Sequence, residues 1–255
     1  MHTGLGALLE RAGGLLSRLA HRVGRCACCS ENAPDTPDSA LCLRCRMALA
    51  TPEGTPCPGC AAWPESSSTL PDPLPTLCGE CRRKPRPWTL AVAHGPYDGQ
   101  LRDLILAYKF DGRMQAERAL QECLLAAYER AARTLPGFEP PHLLVPVPLH
   151  SRRLLRRGFN QSREIARLLS SRHGLPIDQH CLRRIRRTTP QMELGREQRA
   201  DNIRGAFEAR EARVGARNIL LIDDIMTTGS TLEECARILL RAGANRVDVL
   251  VLARA

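Results

Sequence analysis

The stretch Leu220-Leu221-Ile222-Asp223-Asp224-Ile225-Met226-Thr227-Thr228-Gly229-Ser230-Thr231 decides how the chain is read. An apolar run ends at two adjacent acids, a short Thr and Gly turn follows, and an amphipathic helix opens with Leu232, Cys235, Ala236 and Leu239 on one side. That pattern predicts a strand, a loop and a helix, with the loop at the carboxyl edge of a sheet, where open α/β sheets bind ligands. Residues 227–231 can offer successive amides and hydroxyls to a phosphate monoester, and the helix dipole adds favourable potential. Gly229 lets the backbone come close. No Gly-Lys-Thr/Ser sequence follows, and the spaced glycines of a dinucleotide fingerprint are missing, so neither of those phosphate loops is present. Carboxylates only accept hydrogen bonds, so Asp223 and Asp224 just before such a cradle suit the vicinal hydroxyls of a sugar. The plainer alternative is a helix capped by Ser230 or Thr231.

Outward from this stretch the chain alternates apolar runs with amphipathic ones. Strands are predicted over 90–93, 143–147, 219–222 and 247–252, and helices over 99–108, 116–133, 161–172 and 231–242. Strands alternating with helices point to an open, mainly parallel sheet flanked by helices. Residues 25–87 differ: they are rich in Pro, Gly, Ser and Cys and too poor in periodic aliphatic residues to form a core unaided. Within them 65–75 reads as a loop, and Lys84-Pro85-Arg86-Pro87 as a stiff linker.

Nine of the 12 cysteines precede Trp88, and eight of them form four CxxC pairs: Cys26 and Cys29, Cys42 and Cys45, Cys57 and Cys60, Cys78 and Cys81. Each pair can place two thiolates on one face of a zinc ion, so the eight ligands imply two closed, structural zincs. Sequential pairing unites Cys26, Cys29, Cys42 and Cys45, then Cys57, Cys60, Cys78 and Cys81; an interleaved pairing is chemically equal. Cys28 is a spare, less suited than Cys26 because Cys26 keeps the two-residue spacer. A segment this poor in aliphatics needs metal to fold.

The net charge of +10 is concentrated: residues 141–204 hold 14 Arg against five Asp plus Glu, an excess of +9. Such a block suits phosphates of a small ligand or of a nucleic acid. No run of about eighteen uncharged apolar residues exists, which excludes a transmembrane helix. Leu5, Leu8, Leu9, Ala12, Leu15, Leu16 and Leu19 predict an amphipathic helix, and no export signal pattern follows it. Reduced cysteines and the missing signal indicate a cytoplasmic protein.

The 220–231 stretch resembles the 5-phosphoribosyl-1-pyrophosphate (PRPP) motif of type I phosphoribosyltransferases. Further segments resemble the ComF family of competence-related proteins, also called the GntX group: Val145-Pro146-Val147-Pro148-Leu149-His150, Arg153, Arg157-Gly158-Phe159-Asn160-Gln161-Ser162, then Arg186, Thr189, Gln191, Arg199, Asn202 and Phe207, together with Tyr97 and Tyr108-Lys109-Phe110. With the CxxC pairs, the likeness runs from Cys26 to the end. Behind the amphipathic N-terminal helix that periodicity predicts over 1–24, it implies a double zinc-ribbon domain over 25–87 and a phosphoribosyltransferase-like domain over 88–255. It also implies that Asp223 and Asp224 bind ribose hydroxyls, that Thr227, Thr228, Gly229, Ser230 and Thr231 hold the 5-phosphate, and that magnesium bridges pyrophosphate and ribose oxygens.

Physically, the turn Pro148, Leu149, His150 to Arg153 is a candidate pyrophosphate cradle, to which Arg153 and Arg157 add charge-assisted hydrogen bonds. Lys109, alone in an apolar stretch, invites a phosphate contact, and 186–202 reads as a flap that excludes water. Asp223, Asp224, Arg153 and Lys109 are the candidate catalytic residues. The family implies PRPP binding in handling single-stranded DNA with the competence machinery. Rival readings are a true phosphoribosyltransferase of nucleotide metabolism and a protein that only senses PRPP. Aromatics make up 4% of the chain, which leaves Trp88, Phe159 and Phe207 as the few candidates for base stacking. The sequence leaves a homodimer, the acceptor and the zinc pairing open.

Overall fold

A computed structural model of the chain describes residues 25–31, 39–64, 75–150, 154–155, 158–186 and 202–255. The helix expected within 1–24, the loop over 65–75 except Pro75, and most of the flap over 186–202 lie outside the described residues.

Four parallel strands form the central sheet: β1 (Ala91–Pro96), β2 (Leu143–Pro146), β5 (Asn218–Met226) and β6 (Arg246–Arg254), in the order β1-β6-β5-β2. A two-stranded antiparallel ribbon, β3 (Leu182–Arg184) with β4 (Phe207–Ala209), stands apart. Helices α1 (Leu43–Ala48) and α2 (Gly79–Arg83) belong to the cysteine segment, and α3 (Gly99–Phe110), α4 (Ala116–Thr134), α5 (Gln161–His173), α6 (Glu211–Val214) and α7 (Ser230–Arg241) follow. The sheet and its flanking helices match the expected α/β class.

The central strands are buried on both faces, which explains their near-continuous apolar runs. Along β5 and β6, Leu220, Ile222, Leu250 and Leu252 meet α3, α4 and α5, whereas Ile219, Leu221, Val247, Val249 and Val251 meet α7 and the base of the ribbon. The helix after β2 therefore covers one face and the helix after β5 the other. Adjacent strands whose chains leave on opposite faces open a crevice at their carboxyl ends, the usual ligand site of such sheets.

Strand β5 is longer than expected. It continues through Asp223 and Asp224 to Met226 because β6 extends equally far, with Asp223 opposite Val251 and Ile225 opposite Ala253. The acids thus sit within a paired strand rather than at its very end. The ribbon β3–β4 has no periodic signature in three-residue strands and was not expected.

The cysteine segment borrows its core. Cys26, Ala27, Leu41, Cys45 and Leu49 pack with Leu101, Leu104, Leu120 and Leu124. The Ala40 N–H donates to Glu122 Oε1 at 2.8 Å, and His94 Nε2 lies 2.6 Å from the Leu49 carbonyl.

Candidate functional site

Beginning with the loop, Met226 ends β5, Thr227 and Thr228 turn the chain, and Gly229 precedes α7 with φ 81° and ψ 0°. That left-handed conformation is costly for a residue with a Cβ. A Cβ here would also lie 3.4 Å from both Arg86 Nη1 and Trp88 Cη2. No side chain caps α7, so its first amides are not satisfied by Ser230 or Thr231 in the manner of an ordinary N-cap. Thr228 Oγ1 and Ser230 Oγ are 2.9 Å apart at the bend, and Thr227, Thr228 and Ser230 are half-buried. Ser230 N donates to Thr228 Oγ1 at 3.4 Å, and an anion at this terminus would meet the positive end of the dipole.

The acids are held by the start of α5 and the end of α3. Asn160 caps α5 by accepting from Ser162 N at 3.0 Å, and its own amide donates to the Val147 carbonyl at 3.1 Å, which ties the helix start to the end of β2. Gln161 Nε2 then donates to Asp224 Oδ2 at 3.1 Å, and Ser162 Oγ to Asp223 Oδ1 at 3.0 Å. Lys109 Nζ lies 2.9 Å from Asp224 Oδ2, with both side chains nearly enclosed. The lone lysine of the apolar helix is thus the counter-ion of a buried acid. Pro148, Leu149 and His150 follow β2 half-buried, and Val147 N donates to the Ile222 carbonyl at 2.8 Å, which sets them beside the acids. Arg153 and Arg157, like Thr189, Gln191 and Arg199, lie outside the described residues.

Burial of its carboxyl, and next the charge of Asp224, push Asp223 up to about 7, against the lowering effect of the Asp224 N–H, Lys109 and Ser162. Ligand hydroxyls donate to a carboxylate, so ligand binding favours the ionised form and releases a proton below that range. The expected result is an affinity for a sugar phosphate with hydroxyls on Asp223 that rises about tenfold from pH 6 to 8 and then levels off. Calorimetry in buffers of differing ionisation enthalpy, with Asp223→Asn as the control, measures it; a pH profile unchanged by Asp223→Asn would assign the effect to the ligand's own phosphate. Without ligand the sign reverses. The folded state holds the extra proton between the ordinary carboxylate range and about 7, so this group lowers stability as pH rises through that window.

The cysteines gather sequentially: Cys26, Cys29, Cys42 and Cys45 form one set and Cys57, Cys60, Cys78 and Cys81 the other, each with sulfurs within 4.8 Å of one another. Zinc with Zn–S bonds of about 2.3 Å sets tetrahedral sulfurs ~3.8 Å apart. The separations of 4.0 Å for Cys29 and Cys42 and 3.7 Å for Cys60 and Cys78 fit that figure. Backbone amides point at the sulfurs too, Cys28 N and Cys42 N at 3.4 Å from Cys26 Sγ and Cys78 N at 3.2 Å from Cys57 Sγ. Each set thus has the donors a structural zinc takes, and Cys28 stands outside the first.

Two readings change. Trp88 and Phe207, 5% and 4% exposed, are packed in the core and cannot stack on bases, and Phe159 lies against Tyr108 with ring centroids 5.3 Å apart. Arg86 is no linker residue: its side chain, 6% exposed, donates to the Thr228 carbonyl at 3.2 Å and pairs with Glu233. Arg186 donates to the Asn202 and Arg204 carbonyls at 3.0 and 2.7 Å, at the foot of the segment read as a flap. Arg254, which donates to the Thr227 carbonyl at 2.7 Å, carries no signal in the sequence, since it ends a strand like any polar residue.

Residues 154–255 match the phosphoribosyl transferase domain family. "DNA utilization protein YhgH" of Salmonella typhimurium is 37% identical over 221 residues, covering 84% of this chain and 96% of that protein. "Competence protein F" of Haemophilus influenzae is 33% identical over 180 residues, 70% of this chain and 78% of the relative. The chain belongs to the ComF family. "Competence protein ComFC" of Bacillus subtilis, 26% identical over 214 residues, covers 81% of this chain and 80% of its own. The relatives' likeness covers more of the chain than the domain match, which begins only after β2. Among the described residues no helix is long and apolar enough to cross a membrane.

Proposed function

We propose that this ComF protein binds PRPP with magnesium in the crevice between β2 and β5 and uses that site in handling single-stranded DNA in the cytoplasm. The start of α7 behind the left-handed Gly229, with its dipole facing the bend next to two acids, carries this reading. Residues 227–231 hold the 5-phosphate, and Asp223 and Asp224 accept from the ribose hydroxyls. Pro148, Leu149 and His150 flank the pyrophosphate, where Arg153 and Arg157 add charge. Magnesium, when bound, neutralises the pyrophosphate oxygens. Both cysteine sets hold structural zinc.

The nucleic-acid part of the proposal is supported by the relatives' names, which speak of DNA utilization and competence, and by a basic groove. This groove, of about 530 Å³, runs along the edge of the sheet by Leu143, with Arg163 and Arg167 from α5 on one side and Arg213 and Arg217 on the other. Glu164 and Asp178 pair with three of these arginines and leave the groove a positive excess suited to a phosphate backbone.

Saturating PRPP and magnesium are expected to raise the melting temperature by several degrees, since ligand at a hundred times Kd adds about 2.7 kcal/mol. Asp223→Asn with Asp224→Asn should abolish the rise, and a wild-type protein whose melting does not move would remove the site. Labelled single-stranded DNA should bind in a salt-dependent manner, more weakly with Arg167→Ala and Arg217→Ala; no binding at low salt would remove the DNA part. The phosphoribosyl transferase match favours a second reading, a true transferase. Pyrophosphate release when nucleobases are supplied would support that reading.

A further inference from the structure

The bend at 227–229 rests on the second cysteine set. Three consecutive carbonyls of the turn from Cys57 to Cys60 accept hydrogen bonds from the sheet domain. Pro58 O accepts from Ala91 N at 2.7 Å, Gly59 O from Trp88 Nε1 at 2.8 Å and Cys60 O from Arg254 Nε at 3.0 Å. Two of those donor side chains go on to touch the bend. Arg254 Nη1 donates to Thr227 O at 2.7 Å and to Met226 O at 3.3 Å, and the Trp88 ring lies under Gly229. From the other half of the set, Arg86 follows Cys81 by five residues, sits 3.6 Å from Glu80, donates to Thr228 O at 3.2 Å and pairs with Glu233 in the first turn of α7.

The carbonyls of Met226, Thr227 and Thr228 are therefore all gripped by two arginines. In a trans peptide the N–H points opposite to the C=O. Fixing these three carbonyls turns the amides of Thr227, Thr228 and Gly229 away from the arginines, as a concave anion site requires. Arg254 is fixed by the turn from Cys57 to Cys60 and Arg86 by Glu80, beside Cys81, and little apolar packing holds that turn. Its own buried cluster consists of Cys57, Cys60 and Cys81, with Ala62 and Cys78 beside them. The turn is also tight: a Cβ on Gly59 would come within 2.8 Å of Leu77 Cδ2 and 3.0 Å of Cys81 Sγ.

We propose that the second cysteine set, through Arg86 and Arg254 as positioning residues, sets the amide geometry of the 227–229 bend, so that anion affinity there depends on metal at Cys57, Cys60, Cys78 and Cys81. The inference rests on reading 227–231 as a phosphate site. Coupling of this kind is reciprocal, so ligand at the bend must also retain the metal.

The full-length zinc protein tests it. Hydrogen exchange of 226–233 is followed without ligand in the wild type, in Cys78→Ser and in Arg254→Gln, and PRPP with magnesium is titrated calorimetrically into each. Both variants are expected to speed exchange in 226–233 at least tenfold while α4 and β2 keep their protection, and to weaken PRPP at least tenfold. Arg254→Gln should do so with both zincs retained, and Arg254→Lys, which keeps a donor for Thr227 O, should recover most of the loss. PRPP with magnesium should slow the release of one of the two zincs to a chelator and leave the other unchanged. If Cys78→Ser fails to fold, Arg254→Gln and the chelator experiment decide alone. Wild-type exchange in 226–233 after loss of the second zinc, or in Arg254→Gln, would overturn the inference. A wild type that ignores PRPP would instead defeat the phosphate reading, while the exchange comparison still measures the coupling.

Discussion

Cys45→Ser is expected to cut the zinc content from two per chain to one and to cost at least about 5 kcal/mol, because structural zinc contributes roughly 10–16 kcal/mol of folding free energy to small sites. Cys45 is fully buried, one turn into a six-residue helix that has no length to stand alone. The segment around it is also a cover. Ala27, Leu41 and Leu49 pack against the apolar side of α3 and α4, with Leu104, Leu120 and Leu124 in the same core. Loss of the metal therefore exposes a face built to be buried, and aggregation should accompany unfolding. A domain has only about 5–15 kcal/mol of net stability, so the variant should be largely insoluble at growth temperature. Metal analysis and denaturant unfolding measure the two effects. Unchanged solubility with one zinc lost would show that the hydrogen bonds of Ala40 to Glu122 and of Leu49 to His94 suffice to hold the segment.

What the sequence disclosed and what it hid divide along chain separation. The cradle was legible because its parts are contiguous: apolar strand, acids, Thr-Thr-Gly turn and amphipathic helix follow one another within 24 residues, and φ at Gly229 needs the residue found there. The CxxC pairs were legible for the same reason, whereas their partners were not, since the 12 residues between Cys29 and Cys42 allow either pairing and only packing against α3 and α4 brings them together. Arg86 lies 142 residues from Thr228, and Arg254 lies 194 from Cys60. No local period records such contacts, so one arginine reads as linker and the other as strand end. The reach of β5 to Met226 was hidden too, because two acids look like the end of a strand unless the length of its neighbour is known. The aromatics misled in the opposite direction. Trp88 and Phe207 were offered to bases on composition, yet a chain with so few large rings uses them in its own core.

The pair of Lys109 with Asp224 joins α3 to the site and sets the second large effect. Both side chains are nearly enclosed and their charged atoms are 2.9 Å apart. Lys109→Met keeps the apolar stem of the side chain but strands the carboxylate, and breaking one half of a buried pair costs about 3–5 kcal/mol. Gln161 still donates to Asp224 Oδ2, which puts the expected loss near the lower end of that range. Adding Asp224→Asn should recover most of the stability, since two neutral groups need no counter-charge, and the double-mutant cycle isolates the coupling. PRPP affinity separates structure from function in the same proteins. The double variant regains stability yet lacks one of the two acids for the ribose hydroxyls, so it should fold well and bind poorly. A single variant that loses less than about 1 kcal/mol would mean that the pair is solvated. Asp224 would then be free to face a ligand without its lysine.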